Sequence, residues 1–452
     1  AGLNTGDNER FLKLWYEPII DKIAFGYDSQ ERLVRDGKRY ALFNKGGGYR
    51  KWYGNQMFVI AFDKRNYSIL STVGNHLPSR QYYFKQCITW NRISSASSFC
   101  ARKCGVGFVF DDVSPSAFMD NDVFNYAIGL MNSKPFCTLL CVLNHGMKTE
   151  TGNVQKVPYV FETKKGSEVE HLVEECIQYA KVDWDMCEFS WEFKRHPLAL
   201  AVDTIAKAFE SWKNECDNRF VRLKSIEERL NYIFIEIYGL QDELSAEVDE
   251  KNITIHQADM KRDIKSLISY AVGCMFGRYS LDVEGLAYAG GQWDSSKYST
   301  FIPDKDNCIP ITDKRYFDDD IVVLFEKWLT AVYGEETLEQ NLDFVAEALG
   351  NKGSSSREVI RNYFLNDFFK DHCATYSVTG SGKRPIYWLF DSGKQNGFKA
   401  LIYMHRYNED TAGRVLIYLQ NLQNKYETEV RAIDAMLEHI TDQRQAAAEE
   451  KR

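Results

Sequence analysis

The sequence predicts an α+β fold, with a β-rich N-terminal domain followed by mainly helical domains. Three observations carry this. Residues from about 38 to 112 read as strands of period two, the spacing changes to three and four beyond Lys164, and a heptad stripe runs from Tyr426 toward the C-terminus. With 452 residues, 44% hydrophobic and 14% aromatic, the chain can bury several sizeable cores.

The strands come first. Phe58, Ile60 and Phe62 alternate, and Tyr82, Phe84, Ile88 and Trp90 interleave with Tyr83, Lys85, Thr89 and Asn91, the pattern of half-buried strands. Gly46-Gly47-Gly48 and Gly74-Asn75 break the runs. Phe108 and Phe110 begin a further strand that ends at Asp111-Asp112. Because Trp52 and Trp90 sit on alternating segments, burial in a core explains them better than stacking on a ligand.

Helices follow. Ile205, Phe209 and Trp212 make one stripe; Leu223, Ile226, Leu230, Ile233 and Ile237 make the next, with Gly239 at its C-terminal cap. Residues 262–276 continue the helical character, and Arg278 and Tyr279 read as packing residues where helices meet. Residues 293–315, polar and carrying Pro303 and Pro310, read as a linker. Ile321, Leu324, Phe325, Trp328, Leu329 and Val332 share a face that ends at Gly334; Leu338, Leu342, Val345 and Leu349 share another that ends at Gly350. Ser355-x-x-Glu358 is a capping box for a third helix. Residues 386–390 and 398–403 read as a β-hairpin, which after helices suggests a winged-helix arrangement. Tyr426, Val430, Ile433, Leu437 and Ile440 keep a heptad spacing, a coiled-coil-like helix. The resulting division is 1–162, 163–292, a linker at 293–315, 316–424 and 425–452. Both chain ends read as cuts within a longer polypeptide: no initiator Met stands at Ala1, and the last helix has no stop signal.

Charge is unevenly spread. Between Arg32 and Lys103 stand fourteen Lys and Arg against only Asp36 and Asp63, a net +12, so the remainder of this −8 chain carries −20. A basic lobe on an acidic protein suits a polyanion, since phosphate neutralisation supplies most of nucleic-acid affinity; a merely solvated basic face is the alternative. Eleven cysteines, odd in number and scattered, fit a reducing compartment and hence the cytoplasm. The N-terminus lacks the basic and apolar regions of a signal peptide, and no apolar run approaches membrane-spanning length, so no membrane partner is expected.

Catalytic signatures are missing. Gly380-Ser381-Gly382-Lys383-Arg384 has Ser377 where a phosphate loop needs Gly, and Arg384 where it needs Ser or Thr, so it is a turn; Gly46–Gly48 has no helix behind it and reads likewise. His196 and His405 read as structural. Cys100, Cys104, Cys137 and Cys141 have spacings that a zinc site tolerates, yet the second pair lies in an apolar run where thiols act as core residues. No Gly-x-Ser-x-Gly elbow occurs, and no carboxylate cluster of the kind that holds a nuclease metal.

The order of several motifs carries a family resemblance. They are Thr5-Gly6-Asp7-Asn8 with Phe11, Lys51-Trp52-Tyr53-Gly54-Asn55, Ile88-Thr89-Trp90-Asn91-Arg92-Ile93-Ser94-Ser95, Phe99-Cys100-Ala101-Arg102 and Gly107-Phe108-Val109-Phe110-Asp111. Further on come Asp183-Trp184-Asp185, Glu227-Glu228-Arg229-Leu230-Asn231, the run from Gly273 to Asp282, and Arg384-Pro385-Ile386-Tyr387-Trp388-Leu389-Phe390. The chain resembles the C-terminal, target-recognition and helical region of the PglX family, the adenine-specific DNA methyltransferases of bacterial phage-exclusion (BREX) or phage-growth-limitation systems. More distantly it is similar to the specificity halves of restriction-modification enzymes. Asn91 departs from the small hydroxyl residue expected there, and Cys100 from Ser.

The resemblance implies sequence-specific recognition of double-stranded DNA, with S-adenosylmethionine as cofactor of the parent enzyme and other phage-defence subunits as partners. Family members flip adenine into an Asn-Pro-Pro-Tyr site. None of the nine prolines here is followed by another, and the glycine-rich cofactor loop is absent, so the chain is expected to bind no cofactor and to be inactive alone. The residues expected at DNA are Arg92, Arg102, Ser94 and Ser95, with Lys103, Arg50, Lys51, Arg80, Lys64 and Arg65 as phosphate contacts. For Arg102 an internal pair with Asp111 is the alternative. A second reading makes the chain a protein-interaction scaffold of a phage-defence complex that anchors on DNA non-specifically.

Overall fold

A computed structural model describes residues 2–93, 99–200, 202–378, 382–394, 396–437 and 450. The fold is α+β, β-rich at the N-terminus and helical beyond, and it resolves into two compact units. One comprises 1–200, 207–259 and 284–293; the other comprises 201–206, 260–283 and 294–452.

Two sheets build the first unit. β1 (Leu12–Leu14), β2 (Ile23–Ala24), β3 (Tyr40–Asn44), β4 (Phe58–Ala61) and β7 (Phe108–Phe110) form one, ordered β1-β4-β3-β2. β2 and β7 pair in parallel with successive parts of β3, at Tyr40–Ala41 and Leu42–Asn44 respectively. β5 (Cys87–Trp90), β6 (Ala101–Cys104) and β8 (Ser116–Ala117) form the second, antiparallel, in the order β6-β5-β8.

The strand expected to run from Tyr82 is shorter than its alternation implies. Arg80–Tyr82 is a helical turn, and Phe84 stands at φ 65°, which ends extended backbone before β5 starts. All four residues of β5 are buried, Thr89 included, so the sheet is covered on both faces. Thr89 is accommodated because its hydroxyl accepts from Asn44 Nδ2 at 2.8 Å.

Helices Asn121–Met131, Lys134–Leu143, Thr163–Asp185 and Ile205–Tyr238 cover this second sheet. The stripe Leu223, Ile226, Leu230 and Ile233 shares one apolar core with Val169, Val173, Phe124, Ile128, Ile88, Trp90 and Trp52. The division expected at 162/163 therefore does not coincide with a boundary between cores: an amphipathic helix must bury its stripe, and the strands supply the surface. The two stripes read at 205–212 and 223–237 belong to a single helix, closed by Gly239 at φ 65°. Among the described residues no single helix is long and apolar enough to cross a membrane.

In the second unit, β9 (Ile309–Ile311) lies within the segment expected to be linker. Pro310 suggested a break, but β9 is the edge of a three-stranded sheet, where a residue lacking an N–H is tolerated. β10 (Ser377–Val378) and β11 (Gly382–Lys383) pair with each other, while β12 (Tyr387–Asp391) and β13 (Lys399–Tyr403) form the expected hairpin and complete the order β12-β13-β9. Helices Ile321–Tyr333, Leu338–Leu349 and Ser356–Asn366 connect β9 to that hairpin. Gly334 and Gly350 cap the first two at φ 92° and 104°. Ser355 accepts from Glu358 N as a capping box requires, but Glu358 reaches back to Ser354 N instead of Ser355 N. Arg278 is fully buried beside Tyr279 and Tyr403, a packing residue as read. The last helix begins at Thr411, well before residue 425; the Asn408 side chain caps the turn that starts it.

Candidate functional site

The basic segment separates into cations that face inward and cations that face water. Arg50 and Lys51, on the loop between β3 and β4, are both buried. Arg50 Nη2 donates to Asp183 Oδ2 at 2.6 Å and to Ala180 O, Nε donates to Tyr53 O, and the guanidinium lies over the Trp184 ring at 5.2 Å. Lys51 Nζ donates to Glu227 Oε2 at 2.6 Å, and Trp52 Nε1 donates to the other oxygen of that carboxylate at 2.7 Å. Burial lowers the pKa of Lys51, but the charge of Glu227, then that of Tyr49 and the hydrogen bond to Glu227, together leave it raised. Burial likewise pushes the Asp183 carboxyl up, yet hydrogen bonds and charge from His256, then the charge of Arg50, hold it down at about 2.

Arg102, on β6, is 1% exposed. It donates to Asn91 Oδ1 at 2.9 Å, to Arg50 O at 3.3 Å and to Cys100 Sγ. Its internal partner is thus Asn91, while Asp111, the partner considered from sequence, lies 3.6 Å from Lys45. Burial and a hydrogen bond with Asp112 push the Asp111 carboxyl up to about 6.

These inward groups fasten one loop. Asn91 Nδ2 donates to Gly47 O at 2.7 Å, and Asn55 Nδ2 donates to Gly48 O at 2.8 Å. Gly47 sits at φ 147°, and a Cβ there would lie 2.5 Å from Asn55 Cγ, so any other residue would strain the loop and push Asn55 aside. At Gly54, φ 120°, a Cβ would meet both Arg50 and Trp184. Gly46–Gly48 and Tyr49 are thereby held beside Asn91–Ile93. Sequence reasoning dismissed this glycine run as a turn; the amides of Asn55 and Asn91, the latter an unexpected residue at its place, are what pin it.

The neighbouring strand end is equally constrained. Trp90, buried in the core as read, donates Nε1–H to Thr149 O at 3.0 Å; Thr149 N donates to Arg92 O at 2.7 Å. Arg92 is half-buried, with Nε 2.8 Å from Glu150 Oε1 and Nη1 3.9 Å from Asp112. Ser94 and Ser95 lie outside the described residues.

Lys64, Arg65 and Arg80 are exposed, and Lys103 is half-buried with its ammonium 5.8 Å from the Phe124 ring centroid. Lys64 and Arg65 open helix Lys64–Leu70, which Asp63 caps by accepting from Arg65 N and Asn66 N. Arg80 lies over the Tyr67 ring of the same helix and donates to His76 O and Leu77 O, so these three cations share a neighbourhood. Among the described residues, no salt bridge engages Lys64, Arg65, Arg80 or Lys103. Also among the described residues, no three His, Cys, Asp or Glu gather as a metal site would require.

No protein-family model matches the chain. It is 41% identical over 462 residues to the adenine-specific methyltransferase PglX of Lacticaseibacillus casei (strain Zhang), covering 98% of this chain. It is 32% identical over 477 residues to the adenine-specific methyltransferase BrxX of Escherichia coli O9:H4 (strain HS), covering 97% of this chain. In both cases the chain spans 38% of the relative's length.

Proposed function

Since this chain is a counterpart of 38% of the length of the PglX and BrxX adenine-specific methyltransferases, we propose that it is the DNA target-recognition part of such an enzyme. The parent would act in a bacterial phage-defence system of the BREX type, alongside other defence subunits, and would take the methyl group from S-adenosylmethionine. On this reading the present chain selects the duplex site at which an adenine is offered, and the chemistry belongs to the rest of the enzyme.

One observation supports this best: a loop and a strand end, Gly46–Tyr49 and Asn91–Ile93, are held side by side by the amides of Asn91 and Asn55, with Asn91 braced by the buried Arg102, within a basic lobe. Rigid presentation of a reading surface is what sequence discrimination demands, because each groove contact must meet its base edge without reorganisation. Arg50, Lys51 and Arg102 then serve from beneath, as fasteners. Lys64, Arg65, Arg80 and Lys103 are the phosphate contacts, with Arg92 at the reading edge; Ser94 and Ser95 keep the role the sequence gives them, outside the described residues.

The test is duplex binding by fluorescence anisotropy across a salt series. Reversing Lys64, Arg65, Arg80 and Lys103 to Glu should abolish binding and flatten its salt dependence. Unchanged affinity would remove the basic lobe from the site. Binding lost with those cations yet indifferent to sequence would favour the scaffold that anchors non-specifically.

A further inference from the structure

Helix Thr411–Leu437 carries two apolar stripes set one residue apart. One is buried: Val415 and Leu422 pack on Cys308, Phe317, Phe398, Ala400 and Ile402, with Tyr418 and Tyr426 alongside. Tyr418 donates to Asp306 and Asp319, and Tyr426, on the border with the second stripe, to Gly397 O at 3.2 Å, so Val415, Tyr418 and Leu422 are committed.

The other stripe is Leu416, Leu419, Tyr426, Val430, Ile433 and Leu437, alternating three and four apart with Gln423 at its one polar position. It faces outward. Leu416 is 53% exposed, Leu419 39%, Val430 56%, and the adjoining Met436 57%. Single exposed apolar residues need no explanation, but three exposed and three half-buried ones in one heptad register, over about six turns of one helix, form a continuous seam.

We propose that this seam binds a partner helix whose apolar a and d residues are flanked by lysine and arginine. With Leu416, Val430 and Leu437 at a, and Leu419, Tyr426 and Ile433 at d, the charged flanking positions e and g hold Glu427, Glu429 and Asp434 and no cation. Lys425 and Arg431 fall at c and b, away from the seam. A second copy is therefore disfavoured in either direction: parallel pairing sets Glu429 against Asp434, and antiparallel pairing sets Glu427 and Asp434 against their equivalents. The existing pairs of these acids, Arg431–Glu427 at 3.8 Å and Lys314–Glu429 at 3.6 Å, are solvent-exposed and weakly held, so a partner's cations can share them.

The probes are two synthetic helices of about four heptads with Leu and Ile at a and d, one carrying Lys and the other Glu at e and g. Titrated against the full chain, the Lys helix should bind at least about tenfold more tightly than the Glu helix, a difference of about 1.4 kcal/mol. Leu416→Glu with Val430→Glu should abolish that binding while circular dichroism stays unchanged, and Gln423→Leu should tighten it. The chain alone should sediment as a monomer. Equal binding of the two probes, binding of neither, or self-association lost on Val430→Glu would overturn the proposal.

Discussion

Removing Glu227 separates a fastening role for Lys51 from a DNA-contacting one. Its carboxylate holds the Lys51 ammonium at 2.6 Å and the Trp52 indole at 2.7 Å, with the Lys51 and Glu227 side chains only 10% and 4% exposed. At an effective dielectric of about 20, Coulomb attraction across that distance is roughly 6 kcal/mol, much of it offset by the desolvation of both ions. Glu227→Ala strands the ammonium in the core and should cost about 3–5 kcal/mol, read as a lower urea midpoint for the first unit. Replacing both partners by apolar residues, Lys51→Met with Glu227→Leu, removes the stranded charge and should recover most of that loss. The double variant should also keep the salt dependence of duplex binding. A slope reduced by about one would mean that Lys51 neutralises a phosphate and would refute the fastening role.

Other outcomes follow from the same geometry. Lys64→Glu with Arg65→Glu should change stability by no more than about 0.5 kcal/mol, since both are exposed, yet lower the slope of log affinity against log salt by about two. Gly47→Ala should destabilise the first unit by about 1–3 kcal/mol, because φ 147° and a Cβ 2.5 Å from Asn55 are both unfavourable; a urea midpoint equal to wild type would show that the loop relaxes freely. Asp183, held at about 2 in the folded state against an ordinary 3.8, stabilises the fold above pH 3.8 and loses that contribution as pH falls toward 2. The difference corresponds to about 2 kcal/mol, and Asp183→Asn should flatten this part of the stability profile, measured by urea denaturation between pH 5 and pH 2.

Periodicity made the long helices legible, because a stripe such as Leu223 to Ile237 has to be buried whatever it packs on. The glycine stops at 239, 334 and 350 were legible for the same local reason. What local pattern misses is partnership. Pro310 spoiled the signal of an edge strand that only its pairing with Ala400 reveals. Arg50 and Lys51 look like surface cations in a basic run, yet their acids lie 133 and 176 residues away, in Asp183-Trp184-Asp185 and Glu227-Glu228. Both acidic motifs were visible in the sequence without a role. The available signal was that a buried-looking Trp adjoins one member of each pair, Trp52 beside Lys51 and Trp184 beside Asp183.

The most direct trial of the account is selection by the full chain from a pool of random duplexes, followed by sequencing of what is retained. A target-recognition module should enrich one short site containing an adenine, with preference over scrambled DNA of about a thousandfold or more. Retention of DNA without any enriched site would contradict sequence recognition, and failure to retain DNA at low salt would contradict the basic lobe as an interface.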